Sequence, residues 1–144
     1  MINNIMKNIF IAVILSTASL VAYSANFVMP IVSVTDGDTI RSSVKLPCPL
    51  CNVSVRILGI DTPESTNLAQ CPAEKAKGLE AKAFLKAFAA PYDTMTVSDY
   101  KWDKYGGRID AVVIINNINV GQLLIEKGFA KPYTGSGPKP NWCN

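Results

Sequence analysis

A mainly β, α+β fold is predicted by three features of this sequence. Short runs rich in Val, Ile and Thr are bounded by Gly, Pro, Asn and Asp; one long helical pattern follows the third of them; and helices do not alternate with strands. Together they specify a five-stranded Greek-key barrel with a long helix after strand three and a short C-terminal helix.

The elements follow in order. Residues 1–24 carry one positive charge at Lys7, then the apolar run "IFIAVILSTASLVAY", then the small residues Ala22 and Ser24 before Ala25. That is the pattern of an export signal cleaved near Ser24/Ala25, with an uncleaved N-terminal anchor as the alternative. No cysteine follows the run, so a lipid anchor is not indicated. Residues 25–144 then form one domain, about 120 residues, long enough for one real core. "PIVSVTDGDTIRSSVK" (30–45) predicts two strands about the turn "DGD", and "LPCPLC" (46–51) a Pro-rich connection. "NVSVRILGI" (52–60) alternates, with Val53, Val55 and Ile57 on one face and Ser54, Arg56 and Leu58 on the other. The loop "DTPESTNLAQC" (61–71) leads to a helix over 72–90, with Pro72 suited to its first position and Glu74 to its positive start. Ala76, Leu79, Ala83, Phe84, Ala87 and Phe88 recur at helical spacing and predict its buried stripe. "TMTVSDYKW" and "GRIDAVVII" predict two more strands, "NN" a turn, and "VGQLLIEKG" a short helix stopped by Gly128. The tail "PYTGSGPKPNWCN" is turn-rich and predicted irregular. Five short strands with a helix between the third and fourth suit a barrel of the OB type.

Composition narrows the chemistry. The net charge is +3, and removal of the leader takes Lys7 and no acidic residue, leaving +2. That permits a polyanionic partner without demanding one. All four cysteines lie beyond the leader, and an even count in an oxidising compartment favours disulfides. "CPLC" also admits half of a zinc site, but Cys71 and Cys143 are isolated rather than a second such pair. The expected bridges are Cys71–Cys143, tethering a tail that has no helix of its own, and Cys48–Cys51. There is no histidine. Catalytic triads, histidine-ligated zinc and histidine-based nucleases are therefore excluded.

What survives is carboxylate, arginine and metal chemistry. Asp36 and Asp38 lie at the first turn, Asp61 and Glu64 follow the third strand, and Arg56 sits within it. If the second and third strands pair antiparallel, Asp38 and Asp61 meet and can share one hard cation, with the Thr62 carbonyl and water completing an oxygen shell. Glu64 is then placed to hold a water beside it. Each piece has a plainer reading: "DGDT" as a turn, "DTPE" as a helix cap, the arginine as a surface ion pair. Jointly those readings leave the convergence unexplained.

"DGDT" (36–39), "VRILGIDTPES" (55–65) and "DKYGGR" (103–108), in that order, resemble the staphylococcal nuclease (thermonuclease) family, in the form of an exported bacterial-type homologue, over about residues 30–133. The resemblance implies an OB-type barrel and calcium-dependent hydrolysis of DNA and RNA, single strands preferred, leaving 3′-phosphate ends. It also implies a monomer with no stable membrane association once the leader is gone. Asp38 and Asp61 resemble the calcium carboxylates and Thr62 the carbonyl ligand. Asp36 is similar to a nearby acidic residue just outside the metal's own ligands. Glu64 resembles the general base, Arg56 and Arg108 the two arginines that grip the phosphate, and Lys104 and Tyr105 groups lining the nucleotide site. "DKYGGR" has an extra glycine before its arginine, the family's long C-terminal helix is replaced by the short tail, and the hairpin holding "CPLC" is longer. An inactive OB module that only binds single strands is the rival reading; it needs a basic groove and stacking aromatics, which this chain has sparingly.

Overall fold

The computed structural model describes residues 25–45, 52–104 and 106–144; residues 1–24, expected as an export leader, and Cys48, Cys51 and Tyr105 lie outside the described residues. The chain runs β1 (Phe27–Pro30), β2 (Ser33–Asp36), β3 (Thr39–Ser43), β4 (Asn52–Ile57), β5 (Ile60–Asp61), α1 (Pro72–Ala89), β6 (Thr94–Trp102), β7 (Arg108–Ile115), β8 (Ile118–Asn119), α2 (Val120–Glu126) and β9 (Lys131–Pro132). The five expected strands are β2, β3, β4, β6 and β7. The main sheet has the order β1-β6-β7-β4-β3-β2, with β8 on β7, and β5 pairs with β9 separately. The β4–β7 pair is parallel and the other pairs are antiparallel.

The sheet is curled rather than closed. Its two edge strands, β1 and β2, are consecutive in the chain and meet at a bend, where Val32 N–H donates to Arg41 O (2.9 Å) and Ser42 Oγ to Pro30 O (2.7 Å). The expected OB-type barrel is thus present in the partly open form usual for that fold, and a strand at 27–30 is added. Pro30, which cannot donate to a ladder, sits on an edge as it must. The third expected strand is also broken: Gly59 takes φ +83°, a left-handed turn open to glycine, and Ile60–Asp61 leave the main sheet for β9.

The alternation read in β4 holds. Val53, Val55 and Ile57 are buried with Ile109, Val113 and Leu85 in one core, while Arg56 faces outward. The helical stripe holds only in part: Phe84 and Phe88 pack against the core, while Ala76, Leu79, Ala83 and Ala87 are exposed. In α1 the buried residues are Glu74, Gly78, Ala81, Leu85 and Ala89, and Leu79 is half exposed. The helix carries small apolar residues on every side, so periodicity could only partly choose the face. Close approach chose the rest. A Cβ at Gly37 would lie 3.0 Å from both the Ala81 Cβ and Thr62 Oγ1. The stripe of small residues lets α1 lie directly on the strand turn and the loop after β5.

Candidate active site

Register brings the charged groups together. Thr39 of β3 pairs with Arg56 of β4, and Ile57 N–H donates to Asp38 O at 2.8 Å, so Asp38 sits beside the arginine. The turn at Gly59 and the pairing of Asp61 with Lys131 bring the second aspartate back to the same end. One guanidinium nitrogen, Arg56 Nη2, stands 3.0 Å from Asp38 Oδ2 and 3.7 Å from Asp61 Oδ1. Asp38, Asp61 and Thr62 are all buried, Asp61 to 1 % exposure. Burial raises the Asp38 pKa, and neighbouring Asp36 and Asp61 add to it. Arg56 and the Thr39 hydroxyl, which donates to Asp38 Oδ1 at 2.8 Å, offset this only in part.

The loop bearing Glu64 is held from two sides. Asp36 Oδ1 accepts from Gly37 N–H (2.9 Å) and from Ser65 Oγ (2.8 Å), tying the "DGD" turn to the loop. Buried Glu74 accepts from Glu64 N–H at 3.4 Å and from Gln70 N–H at 2.6 Å, closing the loop onto the first turn of α1. Gly78 lets the helix touch it: a Cβ there would be 2.5 Å from the Glu64 carbonyl carbon and oxygen. The Glu64 side chain itself is 30 % exposed.

A third element reaches the cluster from the far end of the chain. The expected Cys71–Cys143 disulfide is present and pins the tail to the start of α1. Trp142, buried, donates its indole N–H to Asp61 Oδ2 at 3.1 Å. Lys139 places its ammonium 3.3 Å from Asp61 Oδ1 and 3.5 Å from Glu64 Oε1. Burial works against that charge, yet the Asp61 and Glu64 carboxylates outweigh it and hold the ammonium's pKa above the usual lysine value. Sequence reading missed Lys139 and Trp142, and it took Glu74 only for a helix-start charge. A lone tryptophan beside a cysteine in an otherwise polar tail was the available signal.

Asp36, Asp38, Arg56, Asp61, Thr62 and Glu64 are therefore assembled as expected. Arg108 is not with them. Its guanidinium bonds Asp103, Nε at 2.9 Å and Nη2 closer still, within its own hairpin. Its strand position pairs with Ser54, while Asp110 pairs with Arg56. Arg108 thus lies on the same outward face as Arg56, one two-residue step away. Lys104 is exposed on the turn after β6.

The donors present suit a hard cation. Among the described residues no three carboxylate or thiolate groups form a ready metal cage. Asp61 Oδ1 is buried with no well-formed hydrogen bond, balanced only by the ion pairs to Lys139 and Arg56. Two carboxylates, the Thr62 carbonyl and water make an oxygen set of the kind calcium takes.

A model of the staphylococcal nuclease homologue family matches residues 54–141, more than half of the chain. The chain belongs to the staphylococcal nuclease homologue family. No curated protein matches it. This family is one of OB-fold domains, usually nucleases and otherwise nucleic-acid binders, and the curled sheet agrees with that fold. The staphylococcal nuclease match opens within β4 and runs to Asn141, past the boundary near 133 expected from the motifs. It therefore includes Arg56, Asp61, Glu64 and Lys139, while the "DGDT" turn joins the site through β3–β4 pairing.

Proposed function

We propose that this staphylococcal nuclease homologue is an exported, calcium-dependent nuclease that hydrolyses phosphodiesters of DNA and RNA, preferring single strands and leaving 3′-phosphate ends. The observation that supports it most is the meeting of buried Asp38 and Asp61 on one guanidinium nitrogen, with Glu64 alongside. Asp38, Asp61 and the Thr62 carbonyl would hold the calcium. Bound there, the ion supplies neutralising charge at the phosphate and a more acidic water. Arg56 offers two parallel N–H donors to the phosphate's equatorial oxygens, whose negative charge grows during attack. Glu64 takes the proton of the attacking water, a role open to a carboxylate in a chain with no histidine. The new bond joins water oxygen to phosphorus; the bond to the 5′-oxygen breaks, and that oxygen leaves with a proton from surrounding water. Arg108 serves as the second phosphate group by exchanging Asp103 for it.

The test is degradation of single-stranded DNA and of RNA by the exported protein with calcium, with magnesium and with chelator. Cleavage that needs calcium supports the proposal, and full activity in chelator overturns its metal requirement. Binding without turnover would establish the inactive single-strand module instead.

A further inference from the structure

We infer that Lys139 is an internal counter-ion of the carboxylate cluster, one that a divalent cation must displace, so that seating of the tail's ammonium and calcium binding oppose each other. The inference rests on the calcium site proposed above. Its starting point is competition for one atom. Trp142 occupies Asp61 Oδ2, leaving Oδ1, without a hydrogen bond, for a cation; Lys139 Nζ is 3.3 Å from it. A calcium ion binds carboxylate oxygens at about 2.3–2.6 Å, so an ammonium kept in its present place would lie within about 6 Å of the ion. Like charges at that range in a site as closed as this one repel strongly.

Charge balance points the same way. Asp36, Asp38, Asp61 and Glu64 face Arg56 and Lys139. With the lysine seated, the cluster has a net charge of two negative units; with it withdrawn, three, and attraction for a divalent ion rises.

The tail is built to release the lysine alone. The Lys139 side chain is 48 % exposed, and Gly135 and Gly137 precede it at φ +85° and +77°. Trp142 and Cys143 beyond it stay anchored by the disulfide, by Lys77 Nζ donating to Trp142 O at 3.0 Å, and by Lys131 Nζ over the indole at 4.3 Å. Calcium thus displaces Lys139 while Trp142 continues to orient Asp61. In the absence of calcium the ammonium neutralises Asp61 and engages Glu64.

The experiment is calorimetric titration of calcium into the purified, disulfide-bonded full chain and its Lys139→Met and Lys139→Arg variants, with melting curves in chelator and in calcium. Lys139→Met is expected to bind calcium about tenfold more tightly, to melt lower in chelator, and to gain more from calcium. Lys139→Arg is expected to bind within about threefold of the parent. Unchanged or weaker binding by Lys139→Met overturns the inference while leaving the calcium site standing. Binding by Lys139→Met alone supports it, and binding by none of the three overturns the site and the inference with it.

Discussion

Gly78→Ala tests how the site is positioned, because ordinary helix energetics predict the opposite sign. In an exposed helix interior the change stabilises by roughly 0.5–1 kcal/mol. Here the new methyl would sit 2.5 Å from the Glu64 carbonyl carbon and oxygen and 2.7 Å from Pro63 O. Carbon contacts settle near 3.5–4.0 Å, so α1 and the loop must part by about 1 Å. The atoms in the way are backbone, which cannot swing aside. Overpacking of this kind costs about 1–3 kcal/mol, which set against the helix gain leaves a net loss centred on ~1 kcal/mol and reaching about 2.5 kcal/mol. Glu74's hydrogen bond to Glu64 N–H, already 3.4 Å, would be broken by the same movement. A displacement near 1 Å at a reacting group can lower turnover by up to about a hundredfold. Urea denaturation gives the first number and turnover on single-stranded DNA the second. A variant that is more stable by ~1 kcal/mol with unchanged turnover would refute this packing argument.

Two further outcomes follow from burial and the tether. Burial raises the Asp38 pKa above 3.8, so the folded state binds its proton more tightly than the unfolded chain does. Stability from that proton is present below the unfolded pKa and lost as pH rises through the folded one. Asp38→Asn should therefore melt higher than the parent at neutral pH, with the difference closing on acidification toward pH ~4, while calcium binding is lost; a lower melting point at pH 7 would contradict it. Cys143→Ser opens a loop of 72 residues, worth about 4 kcal/mol on chain-entropy grounds, and frees Trp142 from Asp61. Both a lower urea midpoint and weaker calcium binding are expected, and an unchanged calcium affinity would show that the tail does not shape the site.

The legible part of the site was the part written locally. Asp38, Arg56, Asp61 and Glu64 lie on one hairpin and its exit, so antiparallel pairing of two neighbouring strands placed Asp38 beside Arg56, and the short exit kept Asp61 and Glu64 near. Lys139 and Trp142 lie dozens of positions away and arrive through the disulfide and β5–β9, which no periodicity encodes. Helix α1 was legible in its bounds but only partly in its face: Phe84 and Phe88 were placed on the core side, whereas the close backbone contact at Gly78 and the burial of Leu85 were not. Arg108 was legible as a candidate. The doubled glycine at 106–107, both at positive φ, left its direction open, and Asp103 turned it back.

Whether Glu64 moves a proton is the central question, and Glu64→Gln asks it directly. Glutamine keeps the shape and can still hold a water, but it cannot accept the proton. Turnover on single-stranded DNA at saturating calcium should fall by ~10²–10⁴, about 3–5 kcal/mol of barrier. Calcium affinity and binding of an uncleavable oligonucleotide should change little, since Asp38, Asp61 and Arg56 remain. A rate within about threefold of the parent would remove Glu64 as the base and contradict the account.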